Sequence, residues 1–320
     1  MSIIRQAIGW MSPAGPRARL SILIFHRVLR QDDPLLPDVP DAQRFDDILR
    51  WMSRWLNVLP LDRAIDLLVR GSLPARAAAI TFDDGYADNR SVALPVLQKN
   101  GMTATFFIAT GFLDGGRMWN DTVIEAVRGC AHGVLDLSGI GLGTHAIDTI
   151  ARRRDAIGRL IASLKYLAPE ERLQRCGEIA VLAGAALPDD LMMSRADVVA
   201  LRDAGMQVGA HTVTHPILAT LAEAGARREI DESRRLLETL LDERVRLFAY
   251  PNGKPGADYL PEHARLVREL GFDAAVSTAH GAAAAEDDLM ELPRFTPWDR
   301  SRWRFGARLV ANLLERPRPS

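Results

Sequence analysis

Cysteine is scarce in this sequence of 320 residues, which contains only Cys130 and Cys176. Neither cysteine has a partner at the spacing of a metal site, and two cysteines do not make the disulfide framework of a small secreted protein. The N-terminus also lacks the apolar core and the small-residue cleavage site of a secretory signal. These absences predict a protein of the reducing cytoplasm.

Long apolar runs and an overall charge are missing as well. No run reaches the roughly 20 residues that a helix needs to span a bilayer. The formal net charge of −1 gives no reason to expect a nucleic acid as partner. The hydrophobic share of 48% and the charged share of 25% are those of an ordinary globular protein. The length is sufficient for one large domain, or for one domain with an inserted piece.

The near-neutral total conceals two basic ends. Residues 1–30 contain five arginines and no acid, and residues 294–320 contain seven arginines against Asp299 and Glu315. Solvated termini are the simpler interpretation. Peripheral contact with an anionic membrane is the alternative, because the segments IIRQAIGWM and RWRFGARLVANLL each have the pattern of a short amphipathic helix.

Short apolar segments alternate with amphipathic segments along most of the chain. The apolar segments are rich in β-branched or aromatic residues, as buried strands are. They lie at 20–26, 77–82, 103–110, 206–211, 245–250 and 273–278. The amphipathic segments have the pattern of helices and lie at 41–56, 61–70, 89–100, 221–242 and 258–270. This alternation predicts an α/β fold with a parallel sheet, most simply a barrel.

Residues 114–194 interrupt the alternation. Their pattern is mostly helical, with apolar residues three, four or seven positions apart between Ile150 and Leu167. We therefore interpret this stretch as a helical insertion in the barrel. The resulting division of the chain is a basic N-terminal segment at 1–19, a barrel at 20–297 with its insertion at 114–194, and a basic C-terminal helix or tail at 298–320.

The first candidate for chemistry is a pair of acids, Asp83 and Asp84, in the sequence TFDDGY at 81–86. Neighbouring side chains of a strand point to opposite faces, but at the end of a strand both can reach one cavity when Gly85 lets the chain turn. Two carboxylates that lie close together in one cavity repel each other unless a cation neutralises one of them. The pair therefore suggests one metal ligand beside one general base, and an ordinary Asp-Gly turn is the simpler alternative.

The second candidate is the sequence HTVTH at 211–215, also at the end of an apolar segment. Histidines four residues apart lie on one face of a helical turn and can share a metal ion, although a histidine can also cap a helix or lie in a core. Two histidines and one carboxylate at the same end of parallel strands make an open site with room for water. Together the two motifs predict a metal centre.

In these motifs the sequence resembles the polysaccharide deacetylases, the carbohydrate esterase family four that includes the chitooligosaccharide deacetylases. The resemblance rests on TFDDGY, HTVTH and the segment FAYPNG at 248–253, and covers residues 20–113 and 194–297. It implies a distorted parallel (β/α) barrel of about seven strands. It also implies one divalent metal ion, usually zinc, held by Asp84, His211 and His215. By the same resemblance, the metal activates a water that attacks an acetyl carbonyl, and Asp83 is the general base.

The sequence departs from the family pattern at two positions. Ala249 replaces the arginine that orients the family's base, and Arg246 lies three residues earlier in the same strand, where it points to the other face. We expect Arg294, at another strand end, to take this role. The family's last strand, which ends in the histidine that is its general acid, is also missing. Because a strand moved from last to first can occupy the same place in a barrel, His26 at the end of LSILIFH is the candidate acid, and His280 is the alternative.

Four residues beside the motifs are candidate substrate contacts: Tyr86, Tyr250, Pro251 and Asn252. The tyrosine rings can stack on sugar rings, and packing in the core is the alternative. The backbone N–H of Asn252 has the position from which the family stabilises an oxyanion.

The sequence therefore predicts a metal-dependent hydrolase that removes acetyl groups, N-acetyl groups first, from a carbohydrate. Its substrate would be a surface or secreted polysaccharide or, given the missing secretory signal, a cytoplasmic precursor. Two alternatives stay open: a catalytically silent carbohydrate-binding protein, and a hydrolase of another amide, such as a formamide or a cyclic imide, with the same metal site. The intact acid pair and histidine pair argue against the silent protein.

Overall fold

A computed structural model of the protein describes residues 3–297 and 299–315. These residues divide into two compact units. The barrel unit comprises 3–31, 38–113, 193–297 and 299–315, and the helical unit comprises Asp32–Pro37 and Asp114–Met192. Part of each basic end predicted from the sequence, including Arg316 and Arg318, lies outside the described residues.

Strands and helices alternate through the barrel unit, as the sequence pattern predicts. Over both units, the strands are β1 (Ser21–Phe25), β2 (Asn57–Val58), β3 (Ala77–Phe82), β4 (Thr105–Ile108), β5 (Val134–Leu137), β6 (Gly143–Ala146), β7 (Gln207–Ala210), β8 (Leu247–Ala249) and β9 (Ala274–Val276). The helices are α1 (Ile3–Met11), α2 (Ala42–Trp55), α3 (Leu61–Val69), α4 (Leu94–Lys99), α5 (Trp119–Gly129), α6 (Ile150–Leu164), α7 (Pro169–Ala183), α8 (Arg195–Asp203), α9 (Glu223–Leu241), α10 (Pro261–Glu269) and α11 (Arg302–Leu314). None of the described helices is both long and apolar enough to cross a membrane.

Seven parallel strands form the sheet of the barrel unit, in the order β1–β3–β4–β7–β8–β9, with β2 paired to β3. Residues 292–295 connect its two edges, because the N–H of Leu292 donates to the backbone oxygen of Ala275 in β9 and the N–H of Phe295 donates to that of Ile22 in β1. The sheet therefore curls into a distorted barrel. The predicted fold, a parallel (β/α) barrel of about seven strands, is confirmed.

The first strand of the chain lies where the barrel closes. β1 pairs in parallel with β3 on one side, and Leu23 bridges to Phe295 on the other. An opening strand thus occupies the place beside the last segment, which is the place that the sequence predicts for LSILIFH.

Both faces of the sheet are buried, which explains the continuous apolar runs of its strands. Alternate residues of β3 belong to different core clusters, Ala78 and Ile80 to one and Ala79 to the other. Phe107 of β4 packs in the second cluster, and its ring requires Gly209 in the neighbouring β7, since a Cβ there would lie 2.4 Å from the ring. This close packing fixes the strand ends that carry the candidate site.

The helical unit has a hydrophobic core of its own, to which α5, α6 and α7 contribute. The antiparallel hairpin of β5 and β6 differs from the mostly helical prediction. Its buried residues, Leu135 and Leu137, alternate with exposed neighbours over only four positions, which is too short a pattern to read with certainty from the sequence. Cys130 and Cys176 are buried free thiols in this core.

Residues 32–37 belong to the helical unit, whereas the sequence-based division places them in the barrel. The reason is local: Asp33 accepts a hydrogen bond from Arg128 at 2.6 Å, and Leu35 is buried in the core of the helical unit. The predicted limits of the insertion itself, 114–194, stay a prediction.

The stretch from 114 to 192 begins and ends at one place. Arg117, near its start, donates a hydrogen bond to the backbone oxygen of Pro188, near its end. A Cβ added to Gly115 would lie 3.8 Å from the backbone oxygen of Asp189. The two ends of this stretch are therefore side by side.

Candidate metal centre

The candidate residues meet at one edge of the barrel, because the carboxyl ends of parallel strands lie together. His26 follows β1, Asp83 and Asp84 follow β3, and His211 follows β7. Arg294 lies in the segment that closes the barrel. Strands that are distant in the sequence thus bring five polar side chains to one end of an apolar core.

Asp84, His211 and His215 form a group whose potential ligand atoms all lie within 4.8 Å of one another. The Nε2 atoms of the two histidines are each 3.4 Å from Oδ1 of Asp84. Two ligand atoms about 2.1 Å from a zinc ion at tetrahedral angles are about 3.4 Å apart, so this spacing suits a shared ion. Oδ1 of Asp84 is buried, and no group of the described residues donates a hydrogen bond to it. A buried carboxylate oxygen that faces two imidazoles in this way fits a metal ion.

The two histidines lie in a loop and not on the helical turn that the sequence predicts. Thr212 and His215 have φ angles of 65° and 54°, in the left-handed region that residues other than glycine rarely adopt. The chain therefore folds back on itself, and the rings of His211 and His215 lie 4.8 Å apart. The predicted helical geometry is wrong, although the two rings do come together. Such backbone conformations cost about 1–3 kcal/mol each and cluster at functional sites.

Glu229 of α9 holds this loop in place. Its carboxylate accepts hydrogen bonds from the backbone N–H groups of Val213 and Thr214, at 2.9 and 2.8 Å, and from the Thr214 hydroxyl, at 2.7 Å. It thereby fixes the backbone between the two histidines. Sequence reasoning missed this residue, because a glutamate within an amphipathic helix has the pattern of a solvated surface position.

The ring of His211 is oriented by a hydrogen bond from its Nδ1 to the backbone oxygen of Ala249, at 2.7 Å. With Nδ1 donating, Nε2 is the nitrogen that faces Asp84 and can act as a ligand. Burial lowers the pKa of His215 to about 4, although the Asp84 carboxylate opposes this effect. At neutral pH, His215 is therefore a neutral imidazole, which is the form that binds metals.

Arg294 orients Asp83. Its Nη1 and Nη2 donate hydrogen bonds to Oδ1 and Oδ2 of Asp83, both at 2.7 Å, and its Nε donates to the backbone oxygen of Ser277 at 2.8 Å. Both side chains are buried, with 1% of Arg294 and 2% of Asp83 exposed. The sequence predicts that Arg294 lies within reach of Asp83, and the geometry agrees. A catalytic role for the pair stays a prediction.

Both acids of the TFDDGY motif are ionised. Burial alone would raise the pKa of each carboxyl group, but polar and cationic neighbours outweigh it. The positive charge of Arg294 lowers the pKa of Asp83, and the adjacent imidazoles of His211 and His215 lower that of Asp84. One carboxylate is thus engaged by a guanidinium, while the other faces the histidines.

Arg246 lies away from this site, as its position three residues before Ala249 predicts. Its guanidinium pairs with Asp273 and with Asp62. Arg294 therefore supplies the positive charge beside Asp83.

His26 is exposed at the carboxyl end of β1. The side-chain amide of Asn89, from the chain just after TFDDGY, donates to the backbone oxygen of His26 at 2.8 Å. The pKa values of Asp83 and Asp84 depend mainly on burial and on other neighbouring groups. A positive charge on His26 makes a smaller contribution that lowers both values, so the imidazole is close enough to interact with the two carboxylates. His280, the alternative acid, lies exposed in the loop after β9.

A small cavity of about 120 Å³ opens beside His26. Its lining combines polar side chains with apolar ones and consists of Ile24, Phe25, His26, Arg27, Asp38, Val39, Pro40, Thr296 and Pro297. His26, the predicted acid, therefore borders an open cavity.

The structure corrects the predicted role of two aromatic rings. Tyr250 has no exposed surface and stacks on Tyr259, with ring centroids 3.8 Å apart, so the prediction that it stacks on a sugar is wrong. Tyr86 is 3% exposed, and the guanidinium of Arg27 lies 4.6 Å from its ring centroid. Both rings are part of the packing beneath the site, which is the alternative that the sequence leaves open.

The turn after β8 contains the other two predicted substrate contacts. Pro251 is buried and Asn252 is exposed, with a φ angle of 58°. The hydroxyl of Thr278 donates to the backbone oxygen of Asn252 at 2.9 Å, which fixes the turn. Substrate contact by Pro251 and Asn252 stays a prediction.

A curled parallel barrel that carries an oriented carboxylate beside an Asp-His-His group at its strand ends has the side chains that metal-assisted hydrolysis requires. The sequence model of a family described as polysaccharide deacetylase matches residues 70–135 and 181–275, which make up half of the chain and include both motifs. The chain belongs to the polysaccharide deacetylase family, and with it to the hydrolases of carbon–nitrogen bonds other than peptide bonds.

Individual relatives agree with this assignment. The chain is 20% identical over 287 residues to YxkH of Bacillus subtilis (strain 168), whose name also refers to a polysaccharide deacetylase; the match covers 89% of this chain and 73% of YxkH. The fold is similar to that of the Streptococcus pyogenes deacetylase PplD in complex with acetate, with a TM-score of 0.58 and 19% identity, over 87% of this chain and 92% of that one. It is also similar to IcaB from Ammonifex degensii, with a TM-score of 0.57 and 18% identity, over 95% of this chain and 99% of IcaB.

Proposed function

We propose that this protein removes acetyl groups, N-acetyl groups first, from a carbohydrate, with one divalent metal ion held by Asp84, His211 and His215. The observation that carries the proposal is an ionised and oriented Asp83 beside a compact group of three metal-binding side chains. A protein that only binds carbohydrate has no need of a base at this place. Zinc is the ion that fits best, because histidines and one carboxylate with an open position are its usual ligands in catalytic sites.

Each side chain has a role that follows from its position. A bound ion of this kind activates water and polarises a carbonyl group. Asp83, kept ionised and oriented by Arg294, accepts the proton of the attacking water. His26 donates a proton to the nitrogen that leaves, since histidine is an effective general acid near neutral pH and an amine leaves poorly without a proton. The carbonyl carbon gains the water oxygen and loses the nitrogen, so the products are acetate and an amino sugar.

The substrate follows from the family and from the composition of the chain. Acetate in the solved structure of PplD supports an acetyl group as the group removed. The scarcity of cysteine supports a cytoplasmic location. We therefore propose a precursor of a surface or secreted polysaccharide as the substrate.

Acetate release tests the proposal. The purified chain is treated with a chelator, supplied or not with zinc, and incubated with acetylated oligosaccharides, with lipid-linked acetylated sugars, and with a formamide and a cyclic imide. We expect hydrolysis only with zinc and only of the acetylated sugars, which release acetate, and hydrolysis slowed by about 10²–10⁴-fold in Asp83→Asn. Turnover of the formamide or the imide without turnover of any sugar would assign another amide substrate. Binding of the sugars without release of acetate would indicate a catalytically silent carbohydrate-binding protein.

A further inference from the structure

Two helices from opposite ends of the chain lie together on the barrel unit. Ile4 of α1 and Phe305 of α11 belong to the same core cluster. A Cβ added to Gly306 of α11 would lie 2.4 Å from Ile4, so the first turn of α1 is in close contact with α11. Beyond their last turns, Arg19 donates a hydrogen bond to the backbone oxygen of Glu315 at 3.3 Å. The two helices therefore form one continuous part of the surface.

Each helix has a second apolar stripe that is directed to solvent. On α1 this stripe consists of Ile3, Ala7 and Trp10, at helical spacings of four and three residues. Ile3 is 79% exposed and Trp10 is 85% exposed. Arg5 and Gln6 are the exposed polar residues of α1, and the stripe of Ile3, Ala7 and Trp10 is apolar throughout.

The same arrangement recurs on α11, where Trp303, Ala307 and Leu314 lie at spacings of four and seven residues. Trp303 is 62% exposed and Leu314 is 70% exposed. We call the six residues of the two stripes the terminal face: Ile3, Ala7, Trp10, Trp303, Ala307 and Leu314. Several large exposed apolar side chains on two helices that pack together indicate a candidate binding surface.

Arginines are frequent on and near the two helices, and neither helix contains an acid. The arginines are Arg5, Arg17, Arg19, Arg302, Arg304 and Arg308. The guanidinium of Arg302 lies 4.9 Å from the ring centroid of Trp303, and the side chain of Arg304 is 82% exposed. The buried Asp299 pairs with Arg308 at 2.7 Å and lies 3.9 Å from Arg304, which neutralises part of their charge.

A groove of about 570 Å³ adjoins the terminal face at Trp10. Arg17 and Arg19 are among its lining residues, and Glu286 is the acid that lines it. An exposed tryptophan beside two guanidinium groups combines apolar contact with a site for phosphate, because guanidinium pairs with phosphate through two hydrogen bonds. This combination matches the headgroup region of a phospholipid.

We propose that the terminal face binds the surface of a membrane that contains anionic lipids. Tryptophan is favoured at the boundary between headgroups and acyl chains, and helices with an apolar stripe and flanking arginines lie in that plane. A second copy of the chain fits less well. A two-fold interface on this face would bring its arginines against the same arginines of the partner, and like charges repel.

Co-sedimentation of the full chain with lipid vesicles tests this proposal. Vesicles of phosphatidylcholine alone are compared with vesicles that also contain phosphatidylglycerol, at low and high salt. We expect sedimentation with the anionic vesicles, and less of it at high salt, because salt screens the arginines. The double variant Trp10→Ser with Trp303→Ser should lower the partition coefficient by about tenfold or more, since two interfacial side chains are lost.

Tyr166→Ser is the matched control. Tyr166 is 64% exposed and has the Lys165 ammonium 5.3 Å from its ring centroid, an environment like that of Trp303, but it lies in the helical unit. This variant should sediment like the parent protein, and thermal unfolding should show that all variants are folded.

Three results would overturn the proposal. They are no sedimentation with anionic vesicles, sedimentation of the double variant equal to that of the parent protein, or a parent protein that does not bind vesicles but forms a dimer that the double variant does not form. Acetate release from a soluble oligosaccharide, measured without vesicles, reports on the proposed function separately. Failure of membrane binding and failure of the deacetylase are therefore distinguishable.

Discussion

Arg294 donates one hydrogen bond to each carboxylate oxygen of Asp83, both at 2.7 Å. Because guanidinium and carboxylate are both planar, two parallel hydrogen bonds fix the orientation of the carboxylate as well as its position. Burial alone would raise the pKa of Asp83, and the charge of Arg294 reverses this effect. An ionised carboxylate that cannot rotate is well suited to accept a proton from a water molecule beside it.

Asp83→Asn should leave metal binding intact and lower turnover by about 10²–10⁴-fold, the usual contribution of a general base. The amide keeps the shape of the side chain but cannot take up the proton. Steady-state kinetics and the metal content of the same preparation check this result. Near-normal turnover of Asp83→Asn would assign the base to another residue.

Asp84→Ala, His211→Ala and His215→Ala should each abolish stable metal binding. Losing one of three protein ligands removes several kcal/mol of binding free energy, about a hundredfold or more in affinity. Mass spectrometry of the metal content checks this expectation, with the exposed His132→Ala as the control that should bind one ion per chain. Retention of the ion by all three variants would place the metal elsewhere.

His26→Ala should keep the fold and the metal but lose turnover by about 10²–10⁴-fold, because the leaving amine is no longer protonated. His280→Ala is the matched control, since His280 is also exposed and also follows a strand. If His280→Ala loses turnover and His26→Ala does not, the general acid is His280.

Glu229→Gln should weaken metal binding by about 10–100-fold, the usual effect of losing a group that orients the ligands. A neutral amide oxygen can accept only weaker hydrogen bonds from Val213 and Thr214, so the backbone between the histidines becomes less fixed. Zinc titration against a competing chelator measures the change. Glu232→Gln, at an exposed position of the same helix, is the control and should bind zinc like the parent protein.

Asp46→Asn should lower the free energy of unfolding at neutral pH by about 1 kcal/mol. Asp46 on α2 accepts hydrogen bonds from Lys99 and Asn100, at 3.0 and 2.8 Å. Burial opposes ionisation, but these two partners and Arg50 outweigh it, so the pKa of Asp46 is lowered in the folded state. A lowered pKa means that the charged form stabilises the fold above the unfolded-state pKa, and that this stability is lost as the pH falls through the folded-state pKa.

The difference in the free energy of unfolding between Asp46→Asn and the parent protein should therefore be largest at neutral pH and should vanish in strong acid. Urea unfolding at a series of pH values measures it. Asp47→Asn is the control, because the side chain of Asp47 is 42% exposed and its ion pair with Arg50 contributes little. A constant difference at all pH values would show that the charge of Asp46 is not what stabilises the contact between α2 and α4.

Much of this fold is predictable from local patterns. Each barrel strand is a short apolar run, and a polar residue at the end of a run lies at the edge of the barrel where the carboxyl ends of the strands meet. His26 and Arg294 can be predicted as site residues for this reason, although Arg294 is 211 positions from Asp83 in the sequence. Glu229 cannot be found in this way, since its partners are fixed by how α9 packs against a loop. Tyr250 is misjudged for a related reason: only the fold shows that Tyr259 covers its ring.

The two ends of the stretch from 114 to 192 lie side by side, since Arg117 donates a hydrogen bond to the backbone oxygen of Pro188. The strands before and after this stretch, β4 and β7, are direct neighbours in the sheet. When the two ends of an inserted stretch lie together, its length and sequence are only weakly constrained by the rest of the fold. Each doubling of loop length costs only about 0.6 kcal/mol of closure entropy. Evolution can therefore lengthen, shorten or replace this stretch without shifting β4 against β7. Among related proteins, this is where the greatest variation in size is to be sought.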